Sequence, residues 1–200
     1  MTEIAGELYG TGARHLQDRF DARRLADRLN EITVSESIDE QTAAYIERAT
    51  YFFLATVDKA GFPDVSYKGG RPGFVKVIDE HTLRFPPYDG NGMYRSLGNI
   101  AETSKVALLF IRQTGKANRI RIHGTAQVFL QEADLADFAE AEAVVEVKIG
   151  RIFPNCPRYV HDLESGTLSE FAPGGPTPPP EPEWKQWDSF LDVLPQQQQP

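Results

Sequence analysis

Between Tyr51 and Val57 the chain reads YFFLATV, an unbroken apolar and β-branched run. A run of that length and composition predicts a buried strand. DKAG (58–61) follows as a turn, and PDVSYKGG (63–70) predicts a second strand that ends in paired glycines. FVKVI (74–78) and TLRFP (82–86) flank DEH as a hairpin. KVALLFI (105–111), a turn at RQTGKAN, the alternating RIRIHGTAQVFL (119–130) and VVEVKIGRIF (144–153) extend the pattern. At least six short strands joined by tight turns predict an antiparallel barrel with few helices.

Helical rhythm appears in three places. In HLQDRFDARRLADRLNEI, Leu16, Phe20, Leu25, Leu29 and Ile32 fall on a rough helical stripe, so residues 1–48 are expected as a charged amphipathic segment packed on the barrel. Met93, Leu97, Ile100 and Ala101 are spaced i, i+4, i+7, i+8, which predicts a helix after the small residues Asp89, Gly90, Asn91 and Gly92. EADLADFAEAE (132–142) predicts a short acidic helix. Residues 172–200 are of other material. APGGPTPPPEPE is too rich in proline for regular structure, EWKQWDSFLDVL allows a turn or two that dock Trp184, Trp187, Phe190 and Leu191, and PQQQQP is a frayed end. The expected division is therefore 1–48, 49–171 and 172–200, without internal repeats.

Composition narrows the function classes. The net charge is −8, from 21 basic and 29 acidic residues, which argues against a general nucleic-acid binder while leaving room for a local anion site. A single cysteine, Cys156, excludes an internal disulfide and suits a reducing cytoplasm. MTEIAGELYG lacks the pattern of a signal peptide, and no apolar run approaches the ~20 residues of a membrane span. The four histidines (15, 81, 123, 161) show no paired spacing, so no metal site is expected. GNGMYRSLG has neither the spacing nor the strand context of a nucleotide-binding glycine loop.

Four stretches carry candidate chemistry. Asn91 is a suitable helix N-cap, and a helix start offers free N–H groups and a positive dipole end to an anion. Arg95 is the wrong charge for that end unless an anion is shared with it. Ser96 adds a hydroxyl. Gly98 within the helix costs about 1 kcal/mol relative to alanine, which suggests that something approaches closely. The pattern reads either as a phosphate site or as a solvated arginine beside a flexible loop. In SYKGGRPG, Ser66 and Lys68 share one strand face and Tyr67 takes the other. Gly69 and Gly70 admit close backbone approach, and Lys68 and Arg71 add charge; a charged strand end before a turn is the other reading. NRIRIHG sets Arg119, Arg121 and His123 on one face, to line an anion or to form the wet face of an ordinary strand. Cys156 has no neighbouring base in sequence, His161 being five residues on, and reads as structural.

Taken together, FFLATVDKAGFPDVS, LRFPPYDGNGMYRSLGNIAETSKVALLFI and RIRIHGTAQV, in that order, resemble the pyridoxamine 5′-phosphate oxidase-like family of flavin-binding split barrels from about Tyr45 to Tyr159. LQDRF and NCPRYV resemble a branch related to the oxidase. The resemblance implies a mainly β, six-stranded Greek-key split barrel with peripheral helices, forming a homodimer with FMN in grooves between the subunits. It implies that Arg95 and Ser96, with Asn99 one turn on and Asn91 before them, hold the FMN phosphate together with Ser66, Lys68 and Gly69 of the second strand. It places Arg119 near the isoalloxazine ring and Asn155 to Tyr159 toward the flavin of the partner subunit.

Two departures separate the chain from the oxidase itself. SYKGGRPG replaces the oxidase's basic Arg-x-x-x-Leu-Lys strand, and PPPEPEWKQWDSFLDVLPQQQQP does not match its closing Trp- and Arg-bearing segment. The expectation is an FMN-dependent oxidoreductase with a small-molecule substrate, hydride passing directly to or from the flavin, with NAD(P)H a possible donor. A non-catalytic flavin binder or sensor, and a barrel that takes deazaflavin or haem, are the alternatives.

Overall fold

The computed structural model describes residues 8–88, 90–112, 118–138, 140–175 and 178–195. Asp89, the body of the expected turn 113–117, the middle of the Pro-rich stretch and the end 196–200 lie outside them.

The described residues form two compact units, one of residues 35–88, 90–112, 118–138 and 140–155 and one of 8–34, 156–175 and 178–195. The first unit holds the sheet. It opens with α3 (Glu40–Arg48), capped where the Asp39 carboxylate accepts from the Thr42 N–H at 2.7 Å. Then come β1 (Tyr51–Val57), β2 (Pro63–Gly69), β3 (Lys76–Asp79), β4 (Thr82–Phe85), α4 (Arg95–Thr103), β5 (Lys105–Arg112), β6 (Asn118–Phe129), α5 (Glu132–Leu135) and β7 (Val144–Asn155). All seven extended segments join one antiparallel sheet in the order β2-β1-β5-β6-β7-β4-β3. That is one strand more than the six implied by the resemblance, within the same mainly β split-barrel class.

The sheet rolls up, and its core shows why. β1 and β4 stand four places apart in the strand order, roughly 19 Å in a flat sheet. Yet the rings of Phe52 (β1) and Phe85 (β4) meet edge to face at 5.0 Å between centroids. Phe110 of β5 lies 5.0 Å from Phe52, and Phe74 lies 5.9 Å from it. These rings, with Leu54, Leu83, Leu108 and Ile122, are fully buried or nearly so. Strict alternation in β1 sends Phe52, Leu54 and Thr56 inward and leaves Tyr51, Phe53 and Ala55 on the outer face. Ile38 and, from α3, Ile46 join the same core.

Three sequence expectations change here. The predicted acidic helix 132–142 closes after Leu135. The stripe from Leu16 to Ile32 is broken: Asp21 takes a left-handed φ of 51°, so two helices share it, α1 (Thr11–Arg19) and α2 (Arg23–Thr33), with Leu16, Phe20 and Ile32 exposed. Of the four apolar residues expected to dock near the end, Phe190 is buried and stacks edge-on against Trp184 at 5.6 Å, while Trp187 and Leu191 are exposed. A four-residue helix, α6 (Asp188–Leu191), has only one side to bury. Within the second unit the Arg28 guanidinium donates to the Ser189 carbonyl at 2.6 Å and to the Asp192 carboxylate at 3.1 Å. α3 belongs to the first unit and residues 156–171 to the second.

No helix among the described residues is long and apolar enough to cross a membrane.

Candidate functional site

At the edge of the sheet the inward face turns polar. The pairing of Phe52 with Lys68, Leu54 with Ser66 and Thr56 with Asp64 continues the core-facing row of β1 onto β2. Apolar residues would extend the core there; instead the row reads Asp64, Ser66, Lys68. Helix α4 lies over this row and is fastened to it by a seam of hydrogen bonds. The Ser96 and Ser66 hydroxyls are 3.0 Å apart. The Asn99 amide donates to Thr56 Oγ1 at 2.9 Å, and Thr103 Oγ1 donates to the Val57 carbonyl at 2.9 Å. Ser96, Asn99 and Ile100, at i, i+3 and i+4, form the buried face of the helix. Buried polar groups must find partners, so this seam fixes where the helix begins.

It begins unusually. Asn91 is not the cap. Its side chain accepts from the Met93 N–H at 3.1 Å, an Asx turn in the approach loop that leaves Met93 outside the helix and exposed. The capping position is Tyr94, in a left-handed conformation (φ 47°, ψ 25°), and no side chain caps the helix. That conformation costs a residue with a side chain roughly 1–2 kcal/mol, and such strain tends to concentrate at functional sites. The Tyr94 hydroxyl donates to Glu142 Oε2 at 3.1 Å, which holds the residue from outside. Arg95 is the first helical residue, and the first-turn N–H groups are left for an acceptor other than the helix.

β2, the approach loop and the start of α4 enclose a cleft of about 270 Å³. Ser66, Lys68, Asn91, Arg95 and Ser96 all line it. Burial pulls the Lys68 pKa below the ordinary lysine value, and the Asp64 charge pushes back. Sequence reasoning missed Asp64, which also lines the cleft and sits 3.7 Å from Arg95 Nε. Its signal was present: it precedes Ser66 by two residues, so strand alternation puts it on the same face.

The other site residues lie elsewhere. Asn99 is behind the cleft wall, engaged with Thr56. Gly69 faces outward, opposite Tyr51; a Cβ on it would come within 2.7 Å of the Tyr67 ring, so its lack of a side chain serves the stack of Tyr67 on Tyr51 (5.4 Å, 12°). Arg119 is on the outer face of β6, opposite Ile111 and Asn155, three strands from β2 and on the other side of the sheet. There it forms a basic strip with Arg121, His123 and Arg151. Burial, then the charges of Arg151 and Arg121, lowers the His123 pKa. Tyr159 belongs to the second unit, is exposed, and has the Arg158 guanidinium 5.6 Å from its ring.

Gly98 has nothing within 4 Å of where a Cβ would stand, so close packing by the chain's own atoms is not what keeps it a glycine. Gly98→Ala is expected to raise stability by up to about 1 kcal/mol, roughly 2–4 °C in Tm for a chain of this size. A lowered Tm in thermal unfolding would contradict the open space seen there.

Residues 38–156 match the family model of pyridoxamine 5′-phosphate oxidase. No curated protein matches the chain. Among solved structures it is similar to a Lactobacillus delbrueckii protein provisionally assigned as a pyridoxamine 5′-phosphate oxidase, at 26% identity and a TM-score of 0.49, over 61% of this chain and 99% of that one. It is also similar to an FMN-binding protein from Syntrophomonas wolfei (12% identity, TM-score 0.44, 73% and 95% covered). A third is the haem storage protein HutZ from Vibrio cholerae (16% identity, TM-score 0.43, 57% and 92% covered).

Proposed function

The chain belongs to the pyridoxamine 5′-phosphate oxidase family, and from that premise we propose that it is an FMN-dependent oxidoreductase acting on a small molecule. The observation that carries this reading is the convergence of Lys68, Arg95, the Ser66 and Ser96 hydroxyls and an uncapped helix start on one cleft. The oxygens of a phosphate dianion only accept, and this set supplies two cations, the one O–H that the Ser66–Ser96 hydrogen bond leaves over, and first-turn N–H groups, so the donor chemistry fits a flavin phosphate. Bound FMN would supply the redox chemistry, and the protein would bind and orient it. Oxidation of pyridoxamine phosphate is not part of the proposal, because the second strand and the C-terminal segment depart from the oxidase's pattern.

The size of the cleft bears on assembly. At about 270 Å³ it is below the roughly 300–1,000 Å³ of pockets that enclose a whole drug-sized ligand. It suits the phosphate end, and the ring needs a second wall. Val65 and Tyr67 are 66% and 61% exposed on the outer face of the same edge strand, with Tyr51 and Phe53 packed against Tyr67. An exposed apolar patch of this kind marks an interaction surface. A second copy of the chain that covers this patch and reaches around the edge strand would complete the groove and bring its own Arg119 strip or Tyr159 toward the flavin, in a cytoplasmic homodimer.

The absorbance spectrum of purified protein tests the reading. Flavin bands, with FMN released on denaturation, are expected, together with flavin reduction when a hydride donor such as NAD(P)H is added. Flavin bands without turnover would favour a carrier or sensor. A Soret band, or colourless protein that takes up no added FMN, would overturn the flavin assignment.

A further inference from the structure

Asp64 is out of place in a phosphate site. It is the one carboxylate among the described residues that line the cleft, and a flavin phosphate carries about −1.5 to −2 charges at neutral pH. Its side chain is largely enclosed, at 26% exposure, whereas that of Arg95 is 52% exposed. The 3.7 Å separation of Asp64 Oδ1 from Arg95 Nε exceeds the ~2.7–2.9 Å of a charge-assisted hydrogen bond. The pair is therefore an attraction between charges that leaves the guanidinium's donors for another acceptor. Asp64 neither caps the helix nor takes part in the seam through Ser66, Asn99 and Thr103. Among the described residues its link to α4 is the Arg95 charge pair alone, and it also faces the half-buried Lys68 ammonium.

We propose that Asp64 is a built-in competitor for the ligand phosphate: it shares Arg95 with the phosphate, repels it, and limits how tightly the cofactor is held. This rests on the flavin-phosphate reading above. Its consequence is a cofactor that exchanges faster than the two cations alone would allow. Charge, not shape, carries the effect, so it must depend on the phosphate and must weaken with salt.

FMN and riboflavin titrations of the full-length wild type, Asp64→Asn and Asp64→Ser, followed by flavin fluorescence, test the proposal. Both variants are expected to bind FMN roughly twofold to fivefold more tightly than wild type, the range for a partly exposed charge pair. Riboflavin affinity should stay the same, and the gain should shrink in high salt. Unchanged or weaker FMN binding by the variants would overturn the proposal, since an anchoring Asp64 would give that result. A gain shared equally by riboflavin would also overturn it. If neither wild type nor variants bind FMN, the flavin reading falls along with the proposal; if wild type binds FMN and the variants bind it equally, only the role of Asp64 falls.

Discussion

Phe52→Ala is expected to lower the stability of the sheet-bearing unit by about 3–5 kcal/mol, the cost of truncating a fully buried aromatic. Phe52 has no exposed surface and touches rings from two other strands, Phe85 at 5.0 Å and Phe110 at 5.0 Å. It is the residue through which strands four places apart in the sheet meet, so the cavity would open where the roll closes and the walls could relax little. Against a typical total of 5–15 kcal/mol, a loss of that size lowers Tm by about 2–4 °C for every kcal/mol. Phe53→Ala, one residue on and facing outward in the half-buried row, serves as the control and should cost clearly less. Chemical denaturation gives both numbers. Equal costs for the two, or a Phe52→Ala cost below about 1 kcal/mol, would contradict the rolled sheet.

Arg95→Ala is expected to weaken FMN binding by about 1.5–3 kcal/mol, the worth of a hydrogen bond to a charged group, or roughly tenfold to 150-fold in Kd. The same change should leave stability unaltered or slightly raised. A cation at a helix N-terminus opposes the dipole by about 0.3–1 kcal/mol, and the Asp64 contact at 3.7 Å offsets little of that at a half-exposed site. A loss of ligand affinity without a loss of stability separates a binding arginine from a structural one. Isothermal titration with FMN, paired with thermal unfolding, reads both. An unchanged Kd would remove Arg95 from the phosphate site.

Much of the fold was legible because period-2 alternation and apolar runs are local signals. YFFLATV is β1 residue for residue, and the other strands are displaced by no more than two residues at either end. The helical stretches were less legible. A stripe drawn across Phe20 and Arg23 does not register that Asp21 takes a left-handed turn, which is decided by the packing on either side. The cleft was partly legible. Ser66 and Lys68 followed from alternation, and Arg95 and Ser96 from a cation at a helix start. What escaped was the third dimension: Asn91 looks like a cap by residue type, but the helix starts four residues later, at Arg95, because the seam through Ser96 and Asn99 fixes the register. Gly69 looks like a site of ligand approach, but it makes room for a tyrosine ring of its own strand. Asp64 lies on the same face by the same alternation, and an acid in a phosphate site is the property that makes it informative.

A crystal structure of the protein grown with FMN would test the central assignment most directly. The phosphate is expected within hydrogen-bond distance of Ser66, Lys68, Arg95 and Ser96, against the first turn of α4. A phosphate seated instead on the outer basic strip of Arg119, Arg121 and Arg151, with the cleft at α4 free of flavin, would contradict it.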